Sequence, residues 1–265
     1  MESLAFPLLD ALDPGVRARA LDRAVARDLQ AGSYLHFAGE PADFAHFVVR
    51  GAIMLGARDS AGNETSFGLV LPGEVVDEAG LLGARRHEVD AAACVAARVL
   101  AVDAVQLRAA IAASPRAAIA LARHMESRLS WTRRAAQERA TGTVAGRLAG
   151  QLLDLATALG RPRAGAIELT LPVDQARLAA LAGSSREMTC RTLRRFKSGG
   201  VVDYNGRELR ILRPDMLHRL RCGAVRNAGR AVSRADSIRP AAPAAEPSPS
   251  IDAAVRRRSL STSGI

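Results

Sequence analysis

The segment from residue 174 to residue 197 constrains the fold of this chain more than any other, because it fits two short helices joined by a tight turn. Leu178 and Leu181 lie one turn apart on the first predicted helix, and Asp174 stands where that helix needs an N-cap. Gly183 supplies the turn before a second helix rich in arginine. The segment therefore predicts a helix-turn-helix.

The second predicted helix carries its charges on one face. Ser185 stands where it can cap this helix. At 3.6 residues per turn, Arg186, Glu187 and Arg191 lie within about 140° of one another, so all three can face the major groove of DNA. Arg can bind guanine bidentately, and Glu can accept a hydrogen bond from cytosine N4. The trio is predicted to read bases; the alternative is an ordinary helical hairpin with a solvated basic face.

A two-stranded hairpin is predicted directly after these helices. Apolar residues alternate with polar ones on both sides of a turn at Asn205-Gly206. A hairpin here completes a winged helix-turn-helix. Contacts to the DNA backbone position a protein without reading sequence. The residues predicted to make them are Asp174, Gln175, Ser185, Lys197, Arg207 and Arg210.

Charge is distributed unevenly along the chain. Residues 1–122 contain 11 Arg and 15 Asp or Glu, a formal charge of −4. Because the whole chain has a net charge of +10, residues 123–265 carry +14. An acidic N-terminal half and a basic C-terminal half, here called the basic back half, suggest two roles, one of which is binding to a polyanion such as nucleic acid. Aromatic residues make up only 3%, which disfavours stacking on single-stranded bases and leaves double-stranded DNA.

A basic membrane-surface protein is the alternative to a nucleic-acid binder. The sequence contains no long uncharged apolar run, and its first ten residues lack a signal-peptide pattern. We therefore expect a cytoplasmic protein with no membrane partner.

Four regions are predicted. Residues 1–103 hold short apolar runs at 34–40, 47–57, 65–76 and 97–103, which are typical of a small β-roll. Residues 104–138 are predicted to form a long helix, with helix continuing as far as residue 160. Residues 139–221 hold the winged helix-turn-helix, with a core separate from that of the roll. Residues 222–265 are rich in Ala, Pro, Ser and Arg and are expected to be a disordered basic tail.

The long helix carries a narrow apolar stripe. Its members follow steps of three or four residues, a spacing that pairs one helix with another. The stripe predicts a homodimer, and the alternative is a helix packed on its own sheet. The stripe consists of Ile119, Ala122, Met125, Leu129 and Thr132.

The order of these regions resembles the Crp/Fnr family of bacterial transcription regulators over roughly residues 20–220. LPGEVVDEAGLL at 71–82 is similar to the family's phosphate-binding cassette, and VAGRLAGQLLDLA at 144–156 is a second matching motif. GSSREMTCRTL at 183–193 is similar to its base-reading signature. A departure is that Thr189 and Thr192 stand where family members often place Val or Ile.

The resemblance implies an α+β fold with a cyclic-nucleotide-binding-like β-roll, a dimerisation helix and a winged helix-turn-helix. It assigns base contacts to Arg186, Glu187 and Arg191 and implies a homodimer on a palindromic operator with TGTGA-like half-sites. It implies no enzymatic activity, and it leaves room for contact with RNA polymerase.

The effector pocket departs from the cyclic-AMP pattern, in which a Gly-Glu pair is followed by an Arg-Ser pair that binds the phosphate. Glu78 matches, but Asp77 replaces the Gly, and Glu88 and Val89 occupy the Arg-Ser positions. A like-charge contact near 4 Å costs about 4 kcal/mol at an effective dielectric of about 20. We therefore expect a pocket degenerate for cyclic AMP.

A loop two residues shorter would instead bring Arg86 and His87 to the phosphate. Thr132 matches the adenine-contacting position of the family, although Arg133 follows it in place of a Ser. Glu78 and these four residues are the candidate effector contacts. The alternative to an empty pocket is a regulator that responds to cyclic AMP or to another phosphate ligand such as cyclic di-GMP.

Metal chemistry and catalysis are disfavoured. Cys94, Cys190 and Cys222 are too few and too far apart for an iron–sulfur cluster, so no metal and no firm cofactor are predicted. A cupin-like enzyme would need converging histidines. A signalling adaptor without DNA function is opposed by the winged motif and the basic back half. The histidines, interpreted as lone residues that are either exposed or packed, are His36, His46, His87, His124 and His218.

Overall fold

Two antiparallel sheets form an N-terminal roll in the computed structural model, which describes residues 5–58, 64–76 and 78–223. Val48 and Val99 of one sheet and Ile53 of the other are fully buried in one cluster. The strands are β1 (Val25–Leu29), β2 (Tyr34–His36), β3 (Phe44–Arg50), β4 (Ile53–Arg58), β5 (Glu64–Val70), β6 (Val75–Val76), β7 (Asp90–Ala93) and β8 (Ala97–Asp103). Their orders are β1-β8-β3-β6 and β2-β7-β4-β5, which confirms the predicted roll.

The apolar runs in the sequence do not predict β1 and β7. Four of the five residues of β1 are exposed, so it lacks the alternation of a half-buried strand. β7 reads Asp-Ala-Ala-Ala and has no β-branched or aromatic residue. Tertiary pairing places both strands, because β1 pairs with β8 and β7 lies between β2 and β4.

Short helices pack against the β1-β8-β3-β6 sheet of the roll. Phe6, Leu9 and Leu107 pack with Phe47 of β3 in a second buried cluster. Asp103 caps the helix that begins at Ala104 by accepting a hydrogen bond from the backbone N–H of Gln106 at 2.7 Å. These helices are α1 (Pro7–Asp10), α2 (Pro14–Asp22), α3 (Ala79–Leu82) and α4 (Ala104–Ala112).

The prediction of unbroken helix over 104–160 is wrong at two places. After α4, α5 (Pro115–Thr141) begins at a proline, which lacks an N–H and disfavours helical backbone at the preceding residue. The second break is extended backbone at Gly142, followed by α6 (Val144–Leu159) with Thr143 as its N-cap. The predicted 104–138 helix is therefore α4 plus most of α5, and its predicted end lies inside α5.

The predicted helix-turn-helix is present as α7 (Gln175–Leu181) and α8 (Arg186–Ser198). Asp174 accepts a hydrogen bond from the N–H of Arg177 at 2.8 Å, and Ser185 accepts one from the N–H of Met188 at 3.2 Å. Gly183 has φ +57°, a conformation that favours glycine. Both caps and the turn therefore lie where the sequence predicts them.

The wing is larger than the sequence predicts. β11 (Val202–Asn205) and β12 (Glu208–Ile211) form the predicted hairpin. Its two-residue turn is Gly206-Arg207 and not the predicted Asn205-Gly206, because Asn205 still pairs with Glu208. A second hairpin, β9 (Arg161–Arg163) and β10 (Ala166–Thr170), extends it to a sheet of order β11-β12-β10-β9. The sequence does not signal this hairpin because β9 is only Arg-Pro-Arg.

The roll and the winged domain each have buried clusters of their own, and residues of the roll also pack into the cluster of the winged domain. Met54 and Cys94 of the roll lie in the same buried cluster as Leu178 and Leu181 of α7. Helical residues 214–223 complete the described chain. Residue 77 and most of the predicted tail, from residue 224 onward, lie outside the described residues. Within the described residues, no helix has the length and apolar character needed to cross a membrane.

Candidate nucleic-acid interface and effector pocket

The three predicted base-reading residues lie exposed at the start of α8. Arg191 Nη2 and Glu187 Oε1 form an ion pair at 2.6 Å, with side chains 63% and 77% exposed. Exposed pairs of this kind contribute little to stability, so each group can exchange its partner for a base edge. Arg186, also exposed, is the first residue of the helix. The first two turns of α8 therefore expose one carboxylate and two guanidinium groups to solvent.

The opposite face of α8 packs against the core. Thr189 and Thr192 are both buried, as are Leu193 and Phe196. The Thr192 hydroxyl donates to the Met188 carbonyl at 2.8 Å. The Thr189 hydroxyl is fully buried and has no hydrogen-bond partner in the described part of the chain. The two threonines therefore occupy core positions of the recognition helix.

Two of the predicted phosphate-binding cations are held by carboxylates in the free protein. Lys197 Nζ lies 2.8 Å from Asp203 Oδ1, and this hydrogen bond lowers the pKa of Asp203. Arg210 Nε lies 3.1 Å from Glu168 Oε1. Arg207 is exposed at the wing tip, without an ion-pair partner among the described residues. Arg207 is therefore the wing cation most available to a phosphate.

The remaining predicted backbone contacts also have intramolecular roles. Asp174 and Ser185 are N-caps, and Gln175 Oε1 accepts a hydrogen bond from Cys190 Sγ at 2.9 Å, which joins α7 to α8. The Asp174 carboxylate accepts a hydrogen bond from the first turn of the helix that it caps. These residues therefore stabilise the helix-turn-helix formed by α7 and α8.

Several arginines of the basic back half act inside the protein, which sequence analysis did not predict. Arg177 Nη1 donates to the Cys94 carbonyl at 2.9 Å and joins α7 to the roll. Arg221 pairs with Glu138 at 2.8 Å and with Asp154 at 2.9 Å, and all three side chains are largely buried. Part of the +14 charge therefore serves the fold, and composition has no signal that separates it from charge available to DNA.

Glu78, the residue that matches the cassette, is bound by the protein's own long helix. Its Oε1 lies 2.5 Å from His124 Nε2 and 3.9 Å from Arg128 Nε, and its side chain is 17% exposed. Burial alone would raise the pKa of Glu78, but the hydrogen bond and charge of His124, with the charge of Arg128, lower it. An ionised carboxylate thus joins the cassette to α5.

The other candidate effector residues have separate intramolecular contacts. Arg86 Nη1 donates to the Gly39 carbonyl at 2.5 Å, and His87 is buried in the roll. Thr132 Oγ1 donates to the Arg128 carbonyl of its own helix at 2.9 Å, and Arg133 is exposed. These contacts show no shared centre for a phosphate ligand.

Three of the histidines are packed, as one of the two expectations had it, but they lie together and are not lone residues. The rings of His36 and His87 stack with centroids 3.5 Å apart, and the ring of His46 lies 6.1 Å from that of His36. All three are buried inside the roll. Across residues 5–58, 64–76 and 78–223, no group of His, Cys, Asp and Glu side chains has an arrangement that could hold a metal ion.

Two family models match the chain in the order of its regions. A cyclic nucleotide-binding domain matches residues 26–114, and a Crp-like helix-turn-helix domain matches residues 146–220. Between them they cover more than half of the chain. The chain belongs to the Crp/Fnr family of transcription regulators. This confirms the resemblance deduced from the cassette and from the Ser-Arg-Glu signature.

Relatives and solved structures agree with this assignment. A CRP-like cAMP-activated global transcriptional regulator of Mycobacterium tuberculosis is 26% identical over 212 residues, which cover 80% of this chain and 95% of that protein. FixK2 from Bradyrhizobium japonicum has a TM-score of 0.67 at 22% identity, covering 74% and 96% of the two chains. The c-di-GMP responsive regulator CLP of Xanthomonas campestris has a TM-score of 0.60 at 25% identity, covering 75% and 99%.

The apolar stripe of α5 lies exposed in this Crp/Fnr chain. Ile119, Met125 and Leu129 are 54%, 37% and 48% exposed, whereas Ala117 and Leu121 of the same helix are buried against the roll. One face of α5 therefore packs on its own sheet, and a second apolar face is left for another surface. Dimerisation is typical of the family, and a homodimer through this stripe stays our prediction.

We expect Leu129→Asp to shift the protein from dimer to monomer, because a carboxylate in an apolar helix seam would be desolvated without a partner. Size-exclusion chromatography with light scattering would report the mass. The control is Glu126→Gln, an exposed change on the same helix. A Leu129→Asp variant that remains dimeric at micromolar concentration would place the dimer interface elsewhere.

Replacing Thr189 with valine is expected to stabilise the domain by about 1 kcal/mol, because it removes a buried hydroxyl that has no partner while keeping a similar shape. Guanidinium unfolding would measure the change. Thr192→Val is the matched control, since it removes a hydroxyl that is hydrogen-bonded, and it should give no gain. Equal effects of the two substitutions would contradict the assignment.

Proposed function

We propose that this chain is a homodimeric transcription regulator that reads a palindromic operator with TGTGA-like half-sites. Arg186, Glu187 and Arg191 contact bases, and the observation that carries the proposal is their joint exposure at the N-terminal end of α8. Two arginines and one carboxylate match guanine acceptors and a cytosine donor. A two-fold dimer would place its two reading helices about one helical turn of DNA apart.

Backbone contacts would come from the wing and from the ends of the reading helices. Arg207, Arg210 and Lys197 supply the positive charge, and the N-terminal turns near Gln175 and Ser185 supply backbone N–H groups. Lys197 and Arg210 would exchange their carboxylate partners for phosphates on binding. This exchange reduces the net gain from each of them relative to Arg207.

We further propose that DNA reading by this protein does not require cyclic AMP. The Glu78 carboxylate, which in cyclic-AMP-responsive members holds the ribose, is already paired with His124 and Arg128 of α5. Glu88, at the phosphate position, is exposed and negative. The tie between cassette and α5 that a nucleotide would supply is thus made by the protein itself. The alternative is a phosphate ligand that displaces this tie, such as cyclic AMP or cyclic di-GMP.

Fluorescence anisotropy at fixed salt tests both parts of the proposal. One labelled duplex carries a TGTGA palindrome and the other a scrambled sequence, each titrated alone and with cyclic AMP or cyclic di-GMP. We expect selective binding to the palindrome without nucleotide. Selectivity that appears only with one nucleotide would overturn ligand independence, and the absence of selectivity under every condition would overturn the operator assignment.

Salt dependence separates a DNA reader from a signalling adaptor. Neutralising several phosphates releases counterions, so affinity should fall steeply and log-linearly as salt rises. A module that binds only a protein or a nucleotide would show no preference for the palindrome at any salt concentration.

A further inference from the structure

All three guanidinium nitrogens of Arg147 in α6 donate to backbone carbonyls. Nε lies 2.7 Å from the Ala182 oxygen, Nη1 2.7 Å from the Gly142 oxygen and Nη2 3.0 Å from the Gly183 oxygen. Gly142 is the C-cap of α5, and Ala182 is the C-cap of α7. Carbonyls at helix C-termini lack intrahelical partners and carry partial negative charge. One cation therefore stabilises the ends of two helices at once.

We propose that Arg147 is a positioning residue for DNA reading, because it holds the turn at Gly183 against the junction between α5 and α6 at Gly142. The inference rests on the proposed function. Gly183 precedes Arg186 by three residues, so the orientation of this turn sets the start of α8. Recognition sites need their groups held within about 0.5 Å and 10–20°. A loosened turn would therefore degrade base reading more than phosphate contact.

Arg139 at the C-terminal end of α5 holds the same turn from the side of the roll. Its Nη2 donates to the Ser66 carbonyl of β5 at 2.9 Å. A Cβ atom at Gly183 would lie 3.1 Å from Arg139 Nε and 3.2 Å from its Cγ, so this side chain packs closely on the bare glycine. The turn thus lies between Arg139, which is bonded to the roll, and Arg147, which is bonded to the α5–α6 junction.

The environment of Arg147 separates it from the DNA-binding cations. Burial, and next the charge of Arg139, lower the pKa of Arg147, with Glu138 opposing them. Arginine nevertheless stays charged at neutral pH. Because each of its three guanidinium nitrogens already donates to a backbone carbonyl, Arg147 acts through the turn and not by contacting phosphate.

Two substitutions in the full chain test this inference, Arg147→Gln and Arg147→Lys. The control is Arg134→Gln, which removes the same charge as Arg147→Gln. Arg134 is an exposed residue of α5 whose side chain has no hydrogen bond or ion pair among the described residues. Three quantities are measured: the ratio of dissociation constants for scrambled and TGTGA duplexes, amide hydrogen exchange across residues 182–187, and the thermal unfolding midpoint.

We expect Arg147→Gln to reduce the ratio about tenfold or more, as losing one base contact would, and to accelerate exchange across the turn. Arg147→Lys should be intermediate, since an ammonium group lacks the planar fork that spans three carbonyls. Arg134→Gln should match the wild type in both readouts. The midpoint establishes that each variant is folded.

A folded Arg147→Gln variant with wild-type ratio and exchange would overturn the inference. If that variant does not fold, Arg147→Lys decides in the same way. If the wild type itself lacks selectivity, the proposed function fails, and unchanged exchange across 182–187 in the variants would then separately show that Arg147 does not hold the turn.

Discussion

Arg186→Ala is expected to abolish discrimination at one base pair of each half-site, at a cost of about 1–3 kcal/mol. Arg186 is the first residue of α8 and is exposed, so its loss removes a base contact without disturbing the core. Anisotropy titrations against the TGTGA palindrome and against single-base variants of it would measure the loss at each position. Affinity for a scrambled duplex should change much less.

Arg207→Ala is the matched control for this experiment. Arg207 lies in the wing turn and would contact phosphate, so its removal should weaken every duplex by a similar factor and reduce the salt dependence by about one ion. Equal losses on cognate and scrambled DNA for Arg186→Ala would sink the base-reading assignment. Loss of selectivity in Arg207→Ala would mean that the wing also reads sequence.

Glu78→Gln is expected to destabilise the protein by about 2 kcal/mol at neutral pH, because it leaves Arg128 and His124 without their carboxylate. The pKa of Glu78 is lowered in the folded state. Its ionic stabilisation is therefore complete above the pKa of the unfolded state, near 4.5, and is lost as the pH falls through the lower pKa of the folded state. The difference between wild type and variant should shrink accordingly below about pH 4.5.

Guanidinium unfolding of both proteins from pH 7 down to pH 3 would measure this difference. Glu88→Gln is the control, since Glu88 is exposed and its substitution should change stability by no more than about 0.5 kcal/mol. A Glu78→Gln variant as stable as the wild type at pH 7, or a difference that is the same at every pH, would contradict a stabilising tie between the cassette and α5.

The helix-turn-helix could be predicted from sequence because the residues that determine it act locally. Asp174 and Ser185 cap helices that begin at the next residue, and Gly183 forms a turn within its own segment. Each of these signals depends on backbone groups fewer than four residues away. Pro115 is a local signal too, because proline disfavours helical backbone at the residue before it. It accounts for the break in the long helix at Ser114, which the prediction of unbroken helix missed.

The strands that sequence missed show where local signals end. β1 is exposed along most of its length, and β9 contains a proline, so neither has the period of a half-buried strand. Their partners β8 and β10 place them. For β1 the partner lies about seventy residues away along the chain. Pairing over such distances is a property of the tertiary structure.

By itself the sequence determined the helix-turn-helix, its exposed charged trio, the roll and the family, because caps, turns and side-chain periodicity act between neighbouring residues. Only the tertiary structure decided which charges are available to ligands. Glu78 meets His124 across 46 positions, and Arg139 meets the Ser66 carbonyl across 73. A charge count treats these side chains as free, whereas the packing of α5 against the roll brings each to a partner that no local pattern specifies.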